Sequence, residues 1–301
     1  MKCCPDWLSM SGIAVCSACT GPPAASPPVA SHRPPASAHS AQPHLDPSTH
    51  DSARAEVAPF LPDGCPDSVP SLVTWRTVEP ASLSFDEILS LNHSPCAWSV
   101  ALDEAGVIPS RYVRVRPKND LGFRLPLRWG APRRIERRPT GILVGFNRGE
   151  WGGALLWYSS SGALQGTLLH ENVVEILPGV TSSLVLVGVA HLGSDRGRAV
   201  EILEDAGTFR VGRSADLKSA PLAVVRGVAG SVLVVTHRGL VRLGPDFTAH
   251  SLEAHWGLLH PNSVVEDAAG IAYVGMGGVV GKLTPVADGY REEWLFPPNG
   301  N

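Results

Sequence analysis

The sequence predicts an all-β protein built from a repeated four-stranded unit, and three observations carry that prediction. Apolar residues fall in short β-rich runs closed by Gly, Asp, Ser or Pro: GILVGF from Gly141, ALLWYSS from Ala154, SSLVLVGVAHLG from Ser182, SVLVVTHRGLVRLG from Ser231 and GIAYVGMGGVVGKL from Gly270. Such lengths and boundaries belong to strands joined by tight turns. With Ile142, Leu184, Val232 and Ile271 aligned as starts of equivalent strands, the steps are 42, 48 and 39 residues, close to the length of four strands and their turns. Helix signals are scarce. Beyond residue 62 only Ser84-Phe-Asp-Glu87, ahead of Ile88-Leu89, has capping-box spacing, so one short helix is expected there.

The amino-terminal part obeys different physics. Of 27 prolines in the 301-residue chain, 14 lie in the first 80 residues, whereas 25 of 31 glycines follow residue 140. From Thr20 to Pro62 there are ten Pro, nine Ala, six Ser and four His among 43 residues. Such a segment buries too little apolar surface to offset roughly 1–2 kcal/mol per residue of backbone ordering. Residues 19–62 are therefore expected to form a disordered Pro/Ala/Ser-rich tether, with the folded domain at 63–301.

Four of the six cysteines, Cys3, Cys4, Cys16 and Cys19, precede that tether. Lys2, the apolar run WLSMSGIAV from Trp7 and the small residues directly before Cys19 resemble a bacterial lipoprotein signal. The resemblance implies removal of residues 1–18, lipidation of Cys19 and a place in the cell envelope, either membrane-anchored or secreted. Membrane contact would then be through the lipid anchor only. Cys65 and Cys96 would remain as a single pair, and closing their loop of about 30 residues contributes on the order of 3–4 kcal/mol. Two rival readings stay open: a cytosolic chain with a frayed amino terminus, and a zinc site formed by Cys16 and Cys19 with Cys3 and Cys4.

Charge is segregated. Arg111 to Arg138 holds ten Lys or Arg against Asp120 and Glu136, a net of +8. It reads as a solvated loop and strand pair balancing acidic flanks, and no nucleic-acid-binding motif accompanies it, so nucleic acid is not an expected partner.

A second element recurs out of phase with the apolar runs. Leu102-Asp-Glu-Ala-Gly106, Leu203-Glu-Asp-Ala-Gly207 and Val265-Glu-Asp-Ala-Ala-Gly270 are acidic turns ending in Gly, with Ser159-Ser-Ser-Gly162 in the corresponding place. Carboxylates accept backbone N–H groups in such turns, and Gly adopts positive φ. Over roughly Ala97 to Phe296 this pattern resembles the bacterial β-propeller repeat families, in which an acidic turn precedes an apolar strand in each blade. The resemblance implies a β-propeller of about five or six four-stranded blades.

The stretch Phe146-Asn-Arg-Gly-Glu-Trp-Gly-Gly153 stands out between two apolar runs. Trp151 between glycines is no routine core residue, and Arg148 and Glu150 could give direction to a ligand resting on its ring; alternatively its ring packs over its own hairpin. Arg148, Glu150 and Trp151 are the expected ligand-binding residues. No nucleophile elbow, P-loop, zinc-protease helix or dinucleotide fingerprint is present, so no catalytic residue, cofactor or metal is assigned. The expected function is recognition of a protein, peptide or glycan through a propeller face. A propeller-fold glycan lyase or hydrolase, with acids contributed by separate blades, and a cytosolic scaffold are the alternatives.

Overall fold

The computed structural model describes residues 65, 69, 71–113, 121–254, 256, 258–287 and 289–298; the expectations for residues 1–18, Cys19 and the tether at 19–62 lie outside the described residues. The described chain opens with β1 (Arg76–Val78), helix α1 (Phe85–Asn92) and the hairpin β2 (Trp98–Asp103) and β3 (Gly106–Arg111). The capping box forms as its spacing predicts: Ser84 N–H donates to Glu87 Oε2 at 2.8 Å, and Glu87 N–H donates to Ser84 Oγ at 3.3 Å.

Four antiparallel meanders follow. The first sheet is β4 (Arg134–Arg138), β5 (Gly141–Asn147), β6 (Gly153–Tyr158) and β7 (Leu164–Leu169). The second is β8 (Val173–Pro178), β9 (Ser182–His191), β10 (Ser194–Asp205) and β11 (Thr208–Asp216). The third is β12 (Pro221–Arg226), β13 (Val232–Thr236), β14 (Gly239–Leu243) and β15 (Ala249–Glu253). The fourth is β16 (Ser263–Glu266), β17 (Ala272–Gly275), β18 (Val280–Val286) and β19 (Gly289–Phe296), widened by β1, which pairs with β19. Ile142, Leu184 and Val232 lie in the second strands β5, β9 and β13, and Ile271 directly precedes the second strand β17. The repeat read from the apolar runs is therefore a repeat of sheets.

Alternation within each second strand stacks these sheets face to face. Successive side chains of a strand point to opposite faces. Leu143 accordingly packs with Val173, Val185 and Val187 of the second sheet, whereas Ile142, Val144 and Phe146 pack under Leu121 and Phe123. Leu186 joins Val232 and Val234 between the second and third sheets, and Leu233 and Val235 join Val264 and Val274 between the third and fourth. Val265 and Val280 continue the series against Trp98 and Val100 of the hairpin. A strand buried on both faces reads as an unbroken apolar run, which is why these strands were conspicuous. Sequential four-stranded antiparallel sheets, stacked face to face in chain order, make a propeller-like arrangement.

Close approach of neighbouring sheets is permitted by glycine in three second strands. A Cβ on Gly145 would stand 2.5 Å from Val173 Cγ1, one on Gly188 2.6 Å from Pro221 Cδ, and one on Gly275 2.3 Å from Trp98 O.

Two expectations are corrected and one is met in part. About five or six four-stranded blades were expected; the described residues hold five sheets, of which the β2–β3 hairpin has two strands, because residues 71–97 go into β1, α1 and loops, and residues 121–133 form an irregular cover on the first sheet. The acidic turns are not one recurring position: Asp205 precedes the turn between third and fourth strands, Asp267 lies between first and second, and Asp103 lies in the hairpin. Asp103 and Asp267 accept N–H bonds from Ala105 and Ala269, at 2.8 and 2.9 Å, which is local chemistry that serves any hairpin. Nor is the basic segment simply solvated. The Arg138 side chain is 11% exposed beside Glu136 and donates to Gly179 O at 2.6 Å and Ser183 Oγ at 2.9 Å, tying the first sheet to the second.

Candidate functional site

In a meander, turns joining first to second and third to fourth strands lie at one edge of the sheet, and turns joining second to third lie at the other. The loop between β5 and β6, the turn between β9 and β10 and the turn between β13 and β14 therefore share one face, where each first strand begins; it is called the upper face below.

The loop of the first sheet is a single helical turn, Gly149–Trp151, closed by Gly152 at φ 78°. Asn172 pins it from the connection into the second sheet, accepting Arg148 N–H at 3.1 Å and donating to Gly149 O at 2.6 Å. The Arg148 guanidinium donates to Arg128 O at 2.8 Å, so this expected ligand residue braces the loop. Trp151 is 71% exposed. Glu150 Oε2 lies 2.6 Å from His191 Nε2, at the end of β9.

His191 begins a two-residue hairpin loop whose central residues, Leu192 and Gly193, have φ of 43° and 80°. This is the left-handed geometry that matches strand twist and that favours Asn, Asp or Gly. Leu192 is nonetheless at the first central position, and it is 89% exposed. Beside it opens a cleft of about 640 Å³, lined by His191, Leu192, Asp195, His237 and Arg238 among others. The Asp195 side chain, 9% exposed, accepts hydrogen bonds from Ala220 N–H at 2.7 Å, Ser219 Oγ at 3.0 Å and Arg238 Nε at 2.7 Å. Burial pushes its carboxyl up, but these donors, joined by the nearby His237, outweigh it and hold the group below the usual aspartate range. Asp195 is thus a committed anion that fixes Arg238 at the cleft and joins the second sheet to the third.

The result is a rim with two apolar projections, Trp151 and Leu192, bordering a cleft that offers donors from His191, His237 and Arg238. Among the described residues there is no group of three or more His, Cys, Asp or Glu arranged to hold a metal ion. Sequence reading singled out the loop at 148–151. It missed Leu192, whose signal is a bulky apolar residue at the tip of a two-residue hairpin loop, and it had no access to the Asp195–Arg238 pair, which spans 43 positions.

Elsewhere, Cys65 and Cys96 are joined in a disulfide with Cα atoms 5.6 Å apart, and Cys96 packs beside Trp75 and Trp98.

No protein-family model matches the chain, and no curated protein matches it significantly. Among solved structures it is similar to a catalytically inactive virginiamycin B lyase from Staphylococcus aureus with quinupristin, at 12% identity and a TM-score of 0.38, over 66% of this chain and 62% of the lyase. The chain thus spans about three fifths of the lyase's length. It is also similar to the extracellular domain of a one-component system from B. thetaiotaomicron, at 14% identity and a TM-score of 0.37, over 67% of this chain and 26% of that one. The architecture assigned above rests on the order and stacking of this chain's own sheets.

Proposed function

We propose that the upper face docks a peptide segment of another protein, and that the domain displays this face from a tether in the cell envelope. Leu192 carries the first part. An exposed leucine in left-handed backbone is disfavoured twice, by hydration of its side chain and by a conformation costing on the order of 1 kcal/mol. Strain of this kind persists at binding sites. With Trp151 across the Glu150–His191 contact, Leu192 supplies two separated apolar anchors with polar groups between them, which suits alternating side chains of an extended peptide. A glycan ring would stack on Trp151 but gain little from Leu192. The Cys65–Cys96 disulfide supports the envelope part, since such bonds persist in oxidising compartments.

A photo-crosslinking residue placed at Leu192 in cells tests the docking face, with Val180 as control: it is 95% exposed but sits in the β8–β9 turn on the opposite face. Discrete adducts from position 192 alone support the reading. Equal labelling from both positions overturns it. Intact-mass analysis of protein from native membranes tests the tether, with loss of residues 1–18 and a lipid adduct on Cys19 as the expected result and an unmodified full-length chain as the opposing one.

A further inference from the structure

A smaller cleft, of about 220 Å³, lies between the loop of the first sheet and the hairpin of the second, the same two elements that the Glu150–His191 contact joins. Gly152, directly after Trp151, lines it together with Asn172, Val189 and Arg196. Its volume is below the roughly 300–1,000 Å³ of small-molecule sites, so it suits one side chain of a larger ligand better than a free ligand.

Strand alternation divides the charges of β10 between two clefts, because neighbouring side chains of a strand point to opposite faces. Asp195 turns to the third sheet, where it meets Ser219 and Arg238, and a Cβ on Gly197 would stand 2.3 Å from Ser219 O. Arg196 and Arg198 therefore face the other way, toward the first sheet. Arg198 accordingly pairs with Glu171 in the connection from β7 to β8, its Nε donating to Oε2 at 3.1 Å.

The acids of this cleft are committed. Glu171 is held by Arg198, and Asp216 accepts the Lys218 backbone N–H at 2.8 Å and Nζ at 2.7 Å. Arg196 is exposed, lines the same cleft and forms no ion pair among the described residues. Apolar side chains resting on Trp151 and Leu192 leave this cation unanswered.

We infer that, given docking of a peptide at the rim, the peptide carries an acidic side chain, Asp or Glu, beside the residue that rests on Trp151, and that its carboxylate enters the cleft and pairs with Arg196. The planar guanidinium fork matches a carboxylate in geometry as well as charge. The apolar anchors hold the peptide, and Arg196 selects among peptides by charge.

Fluorescence anisotropy on the full chain tests this with a labelled heptapeptide, Leu-Ser-Leu-Ser-Leu-Ser-Leu, in which each position is replaced in turn by Glu, Gln or Arg. At one or two adjacent positions Glu should bind about tenfold tighter than Gln, the strength of a single charge-assisted hydrogen bond. Arg196→Gln should erase that difference, and Arg196→Glu should reverse it in favour of Arg, a reversal that lost packing does not produce. Arg210→Gln, which removes an equal charge from an exposed residue at the end of β11 away from the upper face, should change nothing. Trp151→Ala should weaken the Glu, Gln and Arg peptides alike. Peptides that bind and lose affinity with Trp151→Ala or Leu192→Asn, yet show no preference for Glu or keep one in Arg196→Gln, overturn the acidic side chain and leave rim docking standing. If no peptide binds, or if Trp151→Ala and Leu192→Asn both leave every affinity unchanged, rim docking falls and the acidic side chain with it.

Discussion

Glu150 Oε2 and His191 Nε2, 2.6 Å apart, join the loop of the first sheet to the hairpin turn of the second. Both side chains are nearly half exposed, so the contact contributes only about 0–1 kcal/mol to stability. Its consequence is positional, because Trp151 follows Glu150 and Leu192 follows His191, and the contact brings these exposed apolar residues to one rim. On the opposite face other links join the sheets. Arg138 and Arg226 donate to carbonyls at the β8–β9 turn, and Arg242 meets the fully buried Glu266 side chain. Links between sheets are thus found on both faces, including Asp195 with Arg238 on the upper one, and Trp151 and Leu192 project from the upper face without being buried.

Leu192→Asn should raise stability. Asparagine adopts positive φ more readily than leucine and is preferred in this type of turn, so a gain of about 0.5–1 kcal/mol is expected in the denaturation midpoint. Partner capture at the rim should fall at the same time. A stabilising change that lowers binding is the pattern expected of strain held for recognition; a loss of stability would assign Leu192 to packing.

Asp195→Asn should reveal a pH-dependent link between the second and third sheets. The folded-state carboxyl lies below the unfolded one, so its contribution is present above the unfolded value near pH 4 and is lost as pH falls through the lower folded value. At neutral pH the variant should be less stable by on the order of 1–3 kcal/mol. Urea midpoints measured from pH 7 downward should converge with those of the parent protein below about pH 4.

Arg242→Met should be among the costlier single changes. It removes the guanidinium that Glu266 meets with a side chain 0% exposed, together with bonds to Tyr290 Oη at 2.6 Å and Ser231 Oγ at 2.7 Å. Glu266 retains the N–H of Val228 at 2.7 Å but loses its counter-charge. Breaking a buried pair from one side costs about 3–5 kcal/mol. Adding Glu266→Gln should recover part of that loss in equilibrium unfolding, and no recovery would mean that packing of the arginine stem dominates.

The parts of this fold that were legible in the sequence are those buried on both sides. β5 and β13 run as unbroken apolar segments because each feeds two cores at once, and their spacing carries the repeat. First strands were harder to see. β4 reads RIERR, since Arg134 faces a cleft and Arg138 reaches the neighbouring sheet. The acidic turns suggested a common blade position because Asp beside Gly closes a hairpin wherever it occurs. In the site, Trp151 was conspicuous as a large aromatic residue among glycines. The cleft at Asp195 was not, because its partners come from different sheets and no local spacing records them.

Trp151→Ala separates recognition from folding most directly. The ring is 71% exposed at the end of a helical turn, and that turn is held by backbone bonds to the Asn172 side chain, which the substitution leaves intact. Loss of stability should therefore stay below about 1 kcal/mol, against about 3–5 kcal/mol for truncating a buried tryptophan. Trp294→Ala, at a residue 0% exposed in the core between the third and fourth sheets, provides the buried reference in the same melting experiment. If Trp151 is an anchor for a partner, its removal should weaken docking by about 2 kcal/mol or more, roughly thirtyfold in Kd. Stability unchanged and docking reduced is the expected pair of results. A melting temperature lowered as far as that of the Trp294 variant would place Trp151 in the packing of its own loop and leave Leu192 as the remaining anchor.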